Sequence, residues 1–176
     1  MIGLDLSLSS TGVAVPGRTF TIEGKGRGPE RLSGFRRALL RTFKDADVDL
    51  LVLEGYAFQK SDAGARSIAE LGGVARLLAY DLGIPYVEVP PSTLKLFATG
   101  NGGPKTTKDV MLAAAQRDDP FFAGKTYDEA DAHWLRQVGL VIVGKRKPTD
   151  YQRRALLKVV VPQGIRRLVS LAGAPA

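Results

Sequence analysis

Four acidic residues stand where a carboxylate is either costly or conspicuous. Asp5 interrupts the apolar opening MIGLDLSL, and Glu54 closes the apolar run DLLVLEG just before Gly55. Asp128 and Asp131 lie three apart in YDEADAHWL, a spacing that puts both on one face of a helix. Leu135 and Val138 extend the same stripe toward a core. An ionised carboxylate inside a buried strand costs several kcal/mol unless positive charge sits beside it. Each acid alone has an ordinary explanation: a satisfied buried group, an exposed strand end, or a helix start favoured by the macrodipole. Their combination points to one site.

The chemistry such a set suits is hydrolysis of a phosphodiester by in-line attack of water, which benefits from two divalent cations about 3.5–4 Å apart. Mg²⁺ and Mn²⁺ prefer hard oxygen ligands and keep several waters, so carboxylates from separate elements suffice. The cations in turn offset the repulsion among the acids. A ligand on a strand is held rigidly, which gives Asp5 a reason to be where it is.

The elements that must position these groups read off the pattern. Residues 1–7 alternate as a strand; SLSSTG is a turn; VAVP (13–16) and RTFTIEG (18–24) continue a meander. PERLSGFRRALLRTFKDA opens with Pro29 and Glu30 and repeats Leu32, Phe35, Leu39 and Phe43 at helical spacing. The run 49–55 is continuous enough for a strand covered on both faces. A helix follows over about 63–82, a strand over IPYVEVPP (84–91), and a short helix over PSTLKLFATG. After the loop GNGGP come a helix over 105–117, basic at its start, and another beginning at YDEADAHWL. Three meandering strands followed by βαβ crossovers predict an α/β fold: a mixed five-stranded sheet with helices on both faces.

Charge is unevenly distributed. The 176 residues carry a formal net charge of +7, and residues from 145 onward hold eight Lys or Arg against Asp150 alone, so residues 1–144 balance. A folded domain over 1–144 followed by a basic extension over 145–176 is the expectation. A basic appendage on a neutral body fits either a solvated tail or contact with nucleic acid. Cysteine is absent, which excludes disulfides and thiolate metal sites and fits a reducing cytoplasm. The opening lacks the basic n-region of a signal peptide. Apolar stretches such as VGLVIVG fall far short of the roughly 20 residues that span a bilayer, so no membrane partner is expected.

The strand and turn GLDLSLSSTGVAV, the strand LLVLEGYAF, the segment VPPSTLKLFATGNGGPKTTKDVML and the helix DEADAHWL together resemble the RuvC family of Holliday junction resolvases, within the ribonuclease H-like superfamily. These four motifs run in the family's order over roughly residues 2–138. The resemblance implies a metal-dependent endonuclease that cuts branched DNA, four-way junctions in particular, symmetrically as a homodimer with two Mg²⁺ per site, Mn²⁺ substituting. It maps the family's catalytic, metal-holding acids onto Asp5, Glu54, Asp128 and Asp131. It makes Tyr56 and Phe58 candidates for engaging bases at the crossover, where stacking on an unpaired base is worth about 1–3 kcal/mol. Lys105 and Lys108 fit the family's phosphate-contacting lysines, spacing alone not choosing between them; Ser92 and Lys95 are weaker candidates.

The chain departs from the family where D-L-S-L-S-S-T-G replaces the common D-P-G-x-x-x-T-G, and in its basic extension. These departures fit a divergent, phage-type member with broader substrates. His133, the one histidine, falls off the face of Asp131 and is expected to be structural; Trp134 belongs to the core or a dimer interface. Competing readings are a junction-binding module that has lost catalysis, a relative acting on flaps or RNA, and an actin-like sugar kinase. The last needs a longer chain and a second phosphate loop.

Overall fold

In the computed structural model, residues 1–55, 63–162 and 165 are described. Five strands form one sheet in the order β3-β2-β1-β4-β5, comprising β1 (Ile2–Asp5), β2 (Ser10–Val15), β3 (Arg18–Glu23), β4 (Leu51–Glu54) and β5 (Tyr86–Val89). The first three strands pair antiparallel, whereas β4 runs parallel to both β1 and β5. Helices α1 (Gly28–Asp45) and α2 (Ala63–Asp81) cover one face. Helices α3 (Pro91–Thr99), α4 (Lys108–Asp118), α5 (Tyr127–Ile142) and α6 (Asp150–Leu156) cover the other. This is the mixed five-stranded α/β sheet that the pattern predicts.

The alternation of each strand decides what faces which layer. In the run LLVLE, Leu51 and Leu53 enter the α1/α2 core, and Leu50 and Val52 enter the α3–α6 core. In β1, Ile2 and Leu4 go to α1/α2 beside Leu39, Phe43 and Leu78. Period two therefore sends Asp5 and Glu54 to the α5 side, with Gly3 and Val52. Since β1 and β4 are parallel with Leu4 opposite Leu53, the next residues on each strand, Asp5 and Glu54, are neighbours at the same sheet edge.

Glycines let α5 lie directly on this face. A Cβ on Gly12 would strike the carbonyl of Asp128, and one on Gly3 would strike the Ala132 carbonyl and the Arg136 amide. At the far end, a Cβ on Gly139 would come within 2.9 Å of Val52 Cγ2. Gly12 is in turn the cross-strand partner of Asp5. The start of α5 is fixed by a capping box: Thr126 accepts from the Glu129 amide, and Glu129 accepts from the Thr126 amide. Leu135 and Val138, fully buried, continue the inward stripe.

Some element limits differ from the sequence pattern. β2 begins at Ser10 because the Thr11 hydroxyl donates to the Ser7 carbonyl (2.9 Å), closing the turn within five residues. α4 begins at Lys108 because Thr107 caps it, accepting from the Val110 amide. The basic segment contains a further helix, α6, opened by a second capping box between Thr149 and Gln152. It seats Ala155 in the core and Gln152 against the Phe97 carbonyl. Among the described residues, no helix is long and apolar enough to cross a membrane.

Candidate active site

The C-terminal ends of β1 and β4, the first turns of α5 and α4, and α3 enclose a cavity of about 300 Å³. Asp5, Glu54, Asp128 and Asp131 all line it, together with Lys95 and Lys108. Each acid arrives by a separate local rule. Strand parity aims Asp5 and Glu54 at the cavity, and Gly12 lets the backbone of Asp128 settle over Asp5's strand neighbour. One helical turn carries Asp131 onto the same face.

Burial and crowding raise the proton affinity of three of the four. Asp5, 9% exposed, has its carboxyl pushed well above the usual range by burial and then by the charges of Glu54, Asp131 and Asp128. Glu54 rises to about 7, chiefly through burial and the Asp131 charge, although Lys95 and Lys108 oppose this. Asp131 rises to about 6, chiefly through burial, with Lys108 and Lys95 again opposing and Asp128 adding to it. Asp5 and Glu54 hydrogen-bond to each other, and Asp131 Oδ1 is buried with no partner.

These features fit a divalent cation. The donors are all hard carboxylate oxygens, their summed charge exceeds what two lysines offset, and one buried oxygen has no other ligand. Among the described residues no three His, Asp or Glu side chains already form a ligating cluster. Ligation by Asp5 and Glu54 would exchange their mutual hydrogen bond for metal–oxygen bonds.

The raised proton affinities set a pH dependence. In the folded, metal-free protein these acids hold protons that the unfolded chain, with carboxyls near 4, has released. That stabilisation is complete below about pH 4 and is lost as pH rises through about 6 and 7. Metal-free Tm should therefore fall by roughly 5–10 °C between pH 5 and pH 8, and saturating Mg²⁺ should restore most of it at pH 8. Thermal melts at three pH values with and without Mg²⁺ check this; a flat metal-free profile would contradict it. Asp118 does not contribute in that window. Burial raises it, but hydrogen bonds from Arg146 and His133 prevail and hold it at about 2.

The remaining sequence candidates divide. Lys108 lines the cavity with its ammonium 5.6 Å from the centre of the Tyr127 ring. Lys105 is exposed in the preceding loop, outside the cavity lining, as is Ser92 at the start of α3. Lys95 is a wall of the cavity. Tyr56 and Phe58 lie outside the described residues. His133 is buried away from the acids, 3.3 Å from Asp118 Oδ2 and packed on Phe122, and Trp134 is core, its indole N–H donating to the Met111 carbonyl. Sequence reasoning missed Ser7, Pro91, Leu94 and Met111 in the lining. It also missed the half-buried pairing of Arg146 with Asp118 and Gln137, which joins residues 28 and 9 positions apart.

No family model matches the chain. A curated protein from Gloeobacter violaceus, crossover junction endodeoxyribonuclease RuvC, is 33% identical over 88 residues, which is 50% of this chain and 49% of that protein. The matched stretch thus spans about half the length of that relative. Thermus thermophilus RuvC has a TM-score of 0.65 at 18% identity, covering 85% of this chain and 100% of that one. The same protein in complex with a Holliday junction substrate gives 0.61 at 18% identity, covering 85% and 99%. The chain has the ribonuclease H-like fold of RuvC, and its sequence resembles that of the RuvC-type Holliday junction resolvases.

Proposed function

We propose that the protein is a crossover junction endodeoxyribonuclease: a metal-dependent enzyme that cleaves phosphodiester bonds in branched DNA, four-way junctions foremost, as a cytoplasmic homodimer. The observation that carries this reading is the convergence of four carboxylates from β1, β4 and α5 on one cavity that also holds two lysines. Two Mg²⁺, or Mn²⁺ in their place, would supply an activated water and stabilise the leaving oxygen.

The chain's own residues do the rest. Asp5, with its strand neighbours locked in the sheet, keeps the site's geometry from relaxing as charge develops. Asp131, buried and unpartnered at Oδ1, is a ligand that has little else to bind. Lys95 and Lys108 face the carboxylates, where they lower the cost of an acidic site and attract a phosphate. Lys108, anchored over Tyr127, is the better placed of the two sequence candidates for the scissile phosphate. The activity of the Gloeobacter violaceus relative and the junction complex of the Thermus thermophilus protein support the choice of substrate.

Incubation with a four-way junction and Mg²⁺ tests the reading. Paired nicks across the junction are the expected result. Retention of the junction without cutting would favour the binding module, and preferential cutting of flaps or RNA the other nuclease reading.

The homodimer has support in the surface. Leu77 and Tyr80 near the end of α2, Leu82 in the turn after it, and Tyr86 on the edge strand β5 are 58%, 82%, 37% and 36% exposed. An apolar patch of that kind marks a protein contact, and two-fold pairing would present two cavities to one junction. Tyr80→Asp should weaken self-association by roughly 30-fold, the effect of a truncated interface anchor. Light scattering at micromolar concentration reads this as a shift from dimer to monomer; an unchanged mass would move the interface elsewhere.

A further inference from the structure

We infer that Tyr127 is a positioning residue for cleavage: its ring, tied down through Asp109, holds the Lys108 ammonium where a phosphate entering the cavity meets it. The inference rests on the nuclease reading above. It adds a residue that does not itself line the cavity.

Lys108 opens α4 and is exposed, on a flexible four-carbon stem that by itself samples many rotamers. Its ammonium nevertheless sits where its charge reaches two of the four acids, opposing the rise in proton affinity of both Glu54 and Asp131. Tyr127 is what restrains it. The ring centre is 5.6 Å from Lys108 Nζ, within the roughly 6 Å over which the face of an aromatic ring attracts a cation. The ring is fixed in turn at both ends. Its backbone is the first residue of α5, between the cap Thr126 and Asp128, and its hydroxyl donates to Asp109 Oδ1 at 2.6 Å. One side chain thus grips two successive residues of α4.

The packing of the two helices is served elsewhere. Met111, Ala114 and Ala115 of α4 are buried in the α3–α6 core, and the Trp134 indole of α5 donates to the Met111 carbonyl. Tyr127 is 40% exposed and contributes little to that core. A tyrosine at the surface that commits its ring to the cavity's lysine, and its hydroxyl to that lysine's neighbour, serves the lysine. A cation held in place beforehand stabilises charge developing on the phosphate without first having to be ordered. Loss of the ring therefore slows the chemical step and leaves binding almost as it was. Lys95 reaches the same two acids from α3 and provides the comparison.

The test is a double-mutant cycle on the full chain, with kcat and KM read on a four-way junction in Mg²⁺. Tyr127→Leu should lower kcat about fivefold, the worth of one exposed cation–ring contact, with KM within about twofold of wild type. Lys108→Gln should lower kcat about a hundredfold, and adding Tyr127→Leu to that variant should cost nothing further. Added to Lys95→Gln, the same change should again cost about fivefold. Tyr127→Phe, which keeps the ring, should retain most of the rate. A fivefold loss that persists in the Lys108→Gln background, or no loss at all, would overturn the role. A second readout needs no activity. In metal-free protein whose lysines carry ¹³C-methyl groups, the Lys108 resonance, identified by its absence from Lys108→Gln, should be displaced by the ring. It should return to the position of the exposed lysines in Tyr127→Leu. An undisplaced resonance in wild type would equally overturn the role. If wild type cuts no junction, the nuclease reading falls, and the resonance alone decides whether Tyr127 holds Lys108.

Discussion

Asp5→Asn is expected to abolish the proposed junction cleavage while leaving junction binding within a fewfold of wild type, and to raise the Tm of the metal-free protein. On the proposed reading the change removes a charged ligand of a catalytic cation, which forfeits several kcal/mol of transition-state stabilisation; about 4 kcal/mol is roughly a thousandfold in rate. The thermal gain has a separate cause. Asp5 is 9% exposed, and burial together with the charges of Glu54, Asp131 and Asp128 opposes its ionisation. A neutral amide of the same shape relieves that crowding. The combination identifies a site whose strain is tied to its function, because a merely structural aspartate would lose stability on the same change. Gel assays of cleavage and binding with a melt of the same preparation check all three. Cleavage within tenfold of wild type would remove Asp5 from the catalytic set.

Gly12→Ala is expected to be nearly as damaging although it adds only one methyl group and removes no charge. Its Cβ would meet the Asp128 carbonyl inside the distance that any real Cβ keeps. The obstacle is backbone in a capped helix, so it cannot swing aside. Helix α5 must tilt away from β2, at a cost of about 3 kcal/mol in overpacking and a displaced Asp128. We expect a Tm lower by roughly 6–12 °C and a large loss of cleavage at a temperature where the variant is still folded. Gly17→Ala is the comparison that isolates the clash. A Cβ there meets nothing within 4 Å, so its cost is limited to the positive φ of 81°. Equal effects of the two changes would show that contact with α5 is not what Gly12 protects.

The acids were legible in the sequence because each violates a local expectation: a charge in an apolar strand, an acid at a strand end before glycine, a pair on an inward helix stripe. The mixed character of the sheet followed from three meandering strands and two crossovers. What was not legible depends on contacts between distant segments. Gly3, Gly12 and Gly139 look like ordinary strand and helix glycines until α5 is laid on the sheet. The choice between Lys105 and Lys108 turns on where α4 starts, which Thr107 decides by accepting a hydrogen bond from Val110. Helix α6 is short and shows little apolar periodicity, so its existence rests on the Thr149–Gln152 capping box and on the surface of α3 beneath it. The Asp118–Arg146 pair joins a helix end to a segment 28 residues later and leaves no local trace.

The glycine seam under α5 also bears on how the protein can change over time. Main chain resting on main chain sets the span from Asp5 to Asp128 and Asp131, and the bulk of neighbouring side chains does not enter into it. Leu39, Phe43, Leu51 and Leu78 on the opposite face can drift among apolar types, altering the melting point, while the spacing of the four acids stays in tolerance. Descendants of this sequence are thus free to wander through one half of their interior, provided that the small residues in the other half stay small.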